Sequence, residues 1–187
     1  MPVQQGTRTT SDYLNFDSAL NIGKKLLKDK KKQNIGLYII VSINTGLRVT
    51  DTLKLTWEMI QQDKITLNES KTGKYREILV NDNIRKAVET FGEGRTGFIF
   101  KSQKGTVYSR EQLNRVLKTV FKIDSKKLQV STHSLRKTFG RRYWDVMNQS
   151  DSALIYLSEL FNHTSVAITR RYLGIRQQEL NNVYLSL

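Results

Sequence analysis

A mainly helical fold with one small antiparallel β-sheet, an α+β domain, is what this sequence predicts. Three observations carry the prediction. Apolar residues recur at helical spacing towards both ends of the chain, the period switches to two between Lys64 and Val80, and no repeat, low-complexity tract or proline-rich linker divides the 187 residues. A chain of this length can build one good-sized core. The predicted organisation is a flexible lead-in over residues 1–11 and a single domain over 12–187.

From Phe16 to about Lys28, Phe16, Ala19, Leu20, Ile22, Leu26 and Leu27 fall on one helix face. The lysines of KKLLKDKKK close this helix, where the dipole favours cations, and they suit phosphate attraction equally well. The next helix, Gln33 to Thr45, is apolar on most sides and so is expected to be buried, with Gly46 as its stop. A short helix starts at Thr50. KITL (Lys64–Leu67) and REILV (Arg76–Val80) then read as strands, and NESKTGKY between them holds the glycine of a hairpin turn. Ile84, Ala87, Val88 and Phe91 mark another helix, and GFIF (Gly97–Phe100) reads as a short third strand. Helices fill the rest, at about Ser109–Phe121, His133–Met147, Ser152–Phe161, Thr164–Leu173 and Gln177–Leu187. The last is an amphipathic tail (175–187) with apolar Leu180, Val183, Tyr184 and Leu187, able to pack in cis or on a neighbouring protomer.

Charge narrows the partner. Lys and Arg number 31 against 17 acids, a formal charge of +14, which favours a polyanion and first of all nucleic acid. There are no cysteines, so disulfides and thiolate metal sites are excluded. The longest apolar run, Leu37–Ile43, is too short to span a bilayer, and the polar N-terminus lacks the apolar stretch of a signal peptide. A cytoplasmic protein is therefore expected, nucleoid-associated if bacterial or phage. No P-loop or dinucleotide fingerprint occurs; SKTGK only echoes one. Two separated histidines make no zinc site, and the scattered acids show no two-metal site. DNA cleavage by this chain is thus expected to need no metal and no cofactor.

Cleaving a phosphodiester without metal requires cations on the non-bridging oxygens, a proton for the leaving oxygen and an activated nucleophile. Guanidinium forks suit the first task. HSLRKTFG places His133 and Arg136 three residues apart, on one face of a helix. TGLRVTDTL places Arg48 just past a helix stop, with Asp51 close enough to orient a cation. The hairpin turn presents Lys71, with Lys74 and Arg76 as rivals. His163 opens the helix that carries Tyr172, a phenol whose pKa of about 10 nearby cations are expected to lower.

In combination these segments resemble the C-terminal catalytic domain of the tyrosine recombinases, the phage integrase family, over about Phe16–Tyr184. TGLRVTDTLKL is similar to the first arginine box, ESKTGKYREILV to the hairpin box, THSLRKTFG to the His-x-x-Arg box, and FNHTSVAITRRYLG to the last box. The resemblance implies the catalytic-domain fold of DNA breaking-rejoining enzymes and a site-specific recombinase or integrase working on double-stranded DNA without metal or ATP. Tyr172 would be the nucleophile that forms a 3′-phosphotyrosine link. Arg48, Arg136 and His163 would hold the phosphate, Lys71 would protonate the leaving oxygen, and His133 would assist proton transfer, with Asp51 in support. Lys74, Arg76, Lys137, Arg170 and Arg171 would be further DNA contacts. Self-association on DNA as a dimer or tetramer follows from the same resemblance, with accessory DNA-bending or core-binding proteins as further partners.

The chain departs from the pattern at three places. Asn162 stands where the family has the glycine of Leu-Gly-His, Lys137 stands where many members carry a second histidine, and no N-terminal core-binding domain is expected. Two other readings fit much of this: a DNA-binding or regulatory relative that does no recombination, and type IB topoisomerase-like relaxation.

Overall fold

Helix α2 (Gln33–Thr45) organises the fold, because it is apolar on every side and has no face to give to water. The computed structural model describes residues 11–92, 94–121 and 128–186, with the side chains of all but 176–180. The expectations for residues 1–10, and for Leu180 and Leu187 on the tail face, lie outside this description. Helix α1 (Phe16–Leu27), capped by the Asn15 side chain on the Ser18 N–H, packs along α2. Their backbones approach closely where two glycines meet. A Cβ on Gly36 would lie 2.7 Å from the Gly23 carbonyl oxygen.

Past Gly46 the chain forms α3 (Val49–Thr52) and α4 (Trp57–Ile60), each a single turn. Four residues are too few to show a helical period, and the sequence pattern does not reveal α4. β1 (Lys64–Asn68) and β2 (Tyr75–Leu79) then pair antiparallel, with Lys64 opposite Leu79 and Asn68 opposite Tyr75. The expected third strand at Gly97–Phe100 is absent. Phe98 makes one isolated bridge to Thr56, and the sheet has two strands. The ladder stops there because the partner chain turns into α4 at the next residue. Burial of Ile99 and Phe100 holds the segment instead.

α5 (Asp82–Phe91) packs on α2, and α6 (Arg110–Phe121) packs on α7 (Thr132–Val146), which itself lies against α2. Together these elements enclose a main core that includes Ile39, Ile43, Ile65, Ile84 and Leu113. A second, smaller core gathers around Phe161 from α8 (Asp151–Phe161), α9 (Val166–Leu173) and the start of α10 (Ile175–Leu185). Helix α7 belongs to both, with Leu135 in the main core and Trp144 in the second. On α10, Ile175 is buried whereas Val183, Tyr184 and Leu185 are exposed. Among the described residues no helix is long and apolar enough to cross a membrane.

Candidate active site

Two helices end at the seam between the cores, α2 at Gly46 (φ 61°) and α8 at Asn162 (φ 53°). Both caps are left-handed, a conformation that glycine and asparagine tolerate best. The last carbonyls of a helix have no intrahelical donor and carry the negative end of its dipole. Here arginines satisfy them. Arg136 of α7 donates to the Gly46 carbonyl at 2.5 Å and to the Phe161 carbonyl at 3.3 Å. Arg48 donates to the same Phe161 carbonyl at 2.9 Å. Arg76 of β2 donates to the carbonyls of Leu160 and Thr45, each at 3.3 Å.

One carboxylate joins this group. Glu69, buried at the end of β1, accepts from Arg48 Nη1 at 2.6 Å, from Arg76 Nη1 at 2.8 Å and from the Thr72 hydroxyl at 3.0 Å. Burial raises its pKa, but the bonds from Arg76, Arg48 and Thr72 outweigh burial and hold it below the usual carboxylate range. Two guanidinium groups, those of Arg48 and Arg76, share this one carboxylate, and Arg136 donates to main-chain carbonyls instead, which leaves a surplus of positive charge in the seam. Burial, followed by Arg48 and Arg76, pushes the Arg136 guanidinium down to about 10. Arg48 and Arg136 each commit two of five N–H donors to these partners.

Arg48 and Arg136 line a concavity of about 360 Å³ together with Lys71, His133, Arg110 and Ser70. Four of the six predicted catalytic residues therefore share one site. His133 titrates below its ordinary value, through desolvation first and then the charges of Arg136, Lys137 and Arg110. Asp51 has a different task from the one expected. It is fully buried, and its Oδ1 accepts from the Ser70 N–H at 2.7 Å. It fastens the turn that carries Lys71 onto α3 and orients no cation, because Glu69 has taken the arginines.

His163 and Tyr172 are not among the residues that line this concavity. The Arg136 guanidinium sits 4.4 Å from the Phe161 ring centre, and Tyr172 meets Phe161 edge-on at 5.6 Å and His163 at 5.3 Å. The Tyr172 hydroxyl is buried beside the Arg136 guanidinium, which is too poorly placed for a well-formed hydrogen bond yet close enough to favour the phenolate. Burial pushes this phenol up to about 12, against the opposing pull of Arg136 and Arg48. The expected lowering by cations is present, but desolvation exceeds it. Desolvation, then Arg136 and Arg48, also holds the His163 pKa below its ordinary value. Its Nδ1 lies 2.9 Å from the Thr169 hydroxyl.

The expected DNA contacts divide. Lys74 is exposed, and its Nζ donates to Asn162 Oδ1 at 2.5 Å. Arg171 is exposed and Arg170 is half-buried. Arg76 and Lys137 are not surface cations. Arg76 is consumed by Glu69 and the helix carbonyls. Lys137 is buried, donates to the Ser11 carbonyl at 2.7 Å and lies 5.1 Å from the Tyr172 ring centre. Sequence reasoning missed Glu69 and Arg110, and it met Thr169 only as the threonine of the Thr-x-x-Tyr pattern in the last box, without a role. The one signal for Glu69 was an acid two residues before Lys71 in a basic turn. Among the described residues, no group of three His, Cys, Asp or Glu side chains is placed to hold a metal ion.

Residues 13–179 match the family model described as the phage integrase family. The chain is 31% identical over 165 residues to the probable integrase/recombinase YoeC of Bacillus subtilis (strain 168), covering 86% of this chain and 88% of that protein. It is 23% identical over 179 residues to the tyrosine recombinase XerC of Staphylococcus saprophyticus, covering 91% of this chain and 57% of that protein. The fold is similar to the crystal structure of XerA recombinase, with a TM-score of 0.68 at 20% identity, over 100% of this chain and 66% of that one. It is also similar to a λ integrase dimer bound to a COC′ core site, with a TM-score of 0.66 at 20% identity, over 89% of this chain and 49% of that one.

Proposed function

Because the chain belongs to the phage integrase family of tyrosine recombinases, DNA strand-transferring enzymes, we propose that it cleaves and rejoins duplex DNA through a 3′-phosphotyrosine intermediate. The observation that carries this reading is the surplus of guanidinium charge around Glu69, beside a concavity that Lys71 and His133 also line. Arg48 and Arg136 both line that concavity and keep N–H donors beyond those given to Glu69 and the main-chain carbonyls, which a phosphate can use. A bound phosphodiester supplies the negative charge that this cluster lacks, and the charge that develops on its oxygens in the transition state strengthens the interaction.

Tyr172 Oη attacks phosphorus. The Oη–P bond forms as the P–O5′ bond breaks, and Lys71 Nζ gives a proton to the departing O5′. The phenol starts protonated, as its raised pKa requires, and His133, neutral near pH 7, assists removal of its proton. Arg48, Arg136 and His163 hold the non-bridging oxygens. A 5′ hydroxyl from a partner strand then reverses the step, so no external energy source is needed. Duplex DNA and self-association on it follow from the relatives, of which the λ integrase structure is a dimer on its core site.

The test is a library of nicked duplexes of randomised sequence, from which a cleaved strand escapes before religation. A covalent protein–DNA adduct that survives denaturant and disappears in Tyr172→Phe is the expected result. DNA binding with no adduct from any duplex overturns the reading in favour of a binding relative. Supercoil relaxation without recombinant product assigns the same chemistry to a topoisomerase.

A further inference from the structure

Thr169 has no part in the reaction as written above, yet its surroundings give it one. It lies on α9, fully buried, three residues before Tyr172. Its hydroxyl lies 2.9 Å from His163 Nδ1, and among the described residues it has no other hydrogen-bond partner.

The two directions of that bond are not equivalent. If Nδ1–H donated, the hydroxyl proton would be left without an acceptor in a pocket closed to water, which costs its full desolvation. If the hydroxyl donates, its proton is satisfied and Nδ1 is the acceptor. The imidazole proton then sits on Nε2. The nearby Arg136 and Arg48 disfavour a second proton on the ring, so the choice of tautomer decides what the ring can do. A neutral ring with a bare Nε2 would turn a lone pair towards an anion, whereas Nε2–H offers it a donor.

We propose that Thr169 is a positioning residue that fixes His163 as its Nε2–H tautomer, so that the ring edge opposite Thr169 donates to a non-bridging oxygen of the bound phosphate. This rests on the strand-transfer reading for its purpose. The tautomer itself follows from the hydroxyl and the ring alone.

The chain has only two histidines, so ring-nitrogen resonances of histidine-labelled protein are readily assigned, with His163→Gln removing one set. Above the histidine titration range, wild-type His163 should show a protonated Nε2 and an Nδ1 shifted by an accepted hydrogen bond. Thr169→Val keeps the shape and should move Nδ1 to its unbonded position, and Thr169→Ser should move it back. A protonated Nδ1 in the wild type, or an Nδ1 indifferent to Thr169→Val, overturns the proposal whether or not the protein cleaves DNA.

The rate gives a second reading. Thr169→Val should slow adduct formation on the order of tenfold, part of the 10² to 10³ that a lost donor costs. Thr169→Ser should recover it, and in a His163→Gln background Thr169→Val should add nothing. A full additive loss in that background overturns the coupling to His163. If no duplex yields an adduct, the strand-transfer reading fails while the spectra still decide the tautomer.

Discussion

Arg48 and Arg136 share one acceptor, the main-chain carbonyl of Phe161, at 2.9 and 3.3 Å. Two like charges from distant parts of the chain are brought side by side by the C-terminal end of α8, whose dipole offsets part of their repulsion. The position of that carbonyl depends on the left-handed turn at Asn162, φ 53°, whose side chain also accepts from the exposed Lys74 ammonium.

Replacing Asn162 therefore tests the turn. Asn162→Gly keeps the left-handed cap, and thermal unfolding should change little. Asn162→Val forces a β-branched residue into that region and should cost on the order of 1–2 kcal/mol. Adduct formation should fall more than stability does in the valine variant, because the shared acceptor of the two arginines shifts.

Glu69→Gln keeps the shape of the hub and removes its charge. Loss of charge-assisted bonds to Arg48 and Arg76 should destabilise the fold by about 1–3 kcal/mol, read from denaturant unfolding. The pH dependence has a definite sign. The folded carboxyl titrates below its unfolded value, so the unfolded state binds the extra proton as pH falls. This stability is complete above the unfolded value of about 4.3 and drains away through the folded one. The glutamine variant should show a shallower acid loss than the wild type.

In the proposed mechanism His133 sets the acid limb of cleavage. Its folded pKa is lowered, so the ring stays neutral at pH values where a free imidazole has begun to protonate. Single-turnover adduct formation should hold its rate down through about pH 6.5, the ordinary histidine value, and decline only below it. His133→Gln should lower the rate by about 10² and remove that limb. A limb centred above the ordinary histidine value would assign the titration to another group.

Lys74 and Arg76 are two residues apart on the hairpin and should respond oppositely. Lys74→Ala removes an exposed cation, and the salt slope of DNA binding should drop by about one without loss of stability. Arg76→Ala opens the Glu69 hub and should lower the unfolding midpoint, with the slope nearly intact. A slope change confined to Arg76→Ala would reverse the assignment.

What the sequence revealed and what it hid have physical causes. The bounds of α2 and its stop at Gly46 are legible because an all-apolar run and a glycine are local signals. Arg48, Lys71, His133 and Arg136 were legible as candidates because their motifs each carry a charged or titratable side chain, whereas their placement around one concavity is the work of the fold. Glu69 was hidden because its meaning lies in Arg48 and in Arg76, which only the fold brings to it. The carbonyls of Gly46 and Phe161 leave no side-chain mark at all. The tyrosine's raised pKa depends on burial, and neighbouring cations in the sequence point the wrong way. Gly97–Phe100 has the composition of a strand, but a ladder needs an extended neighbour, which Thr56 supplies for a single residue.

The seam between the two cores acts as an interlock. Gly46 and Thr45 supply acceptors from the first half of the chain, and Leu160 and Phe161 supply theirs from the second. A protein caught part-way through folding, or with its last helices swung aside, has lost half the frame that keeps its arginines together. Such a species has no assembled cluster of arginines at the seam. Point substitution cannot delete a main-chain acceptor, so this interlock is more vulnerable to insertions and deletions near Gly46 or Asn162 than to most changes of side chain.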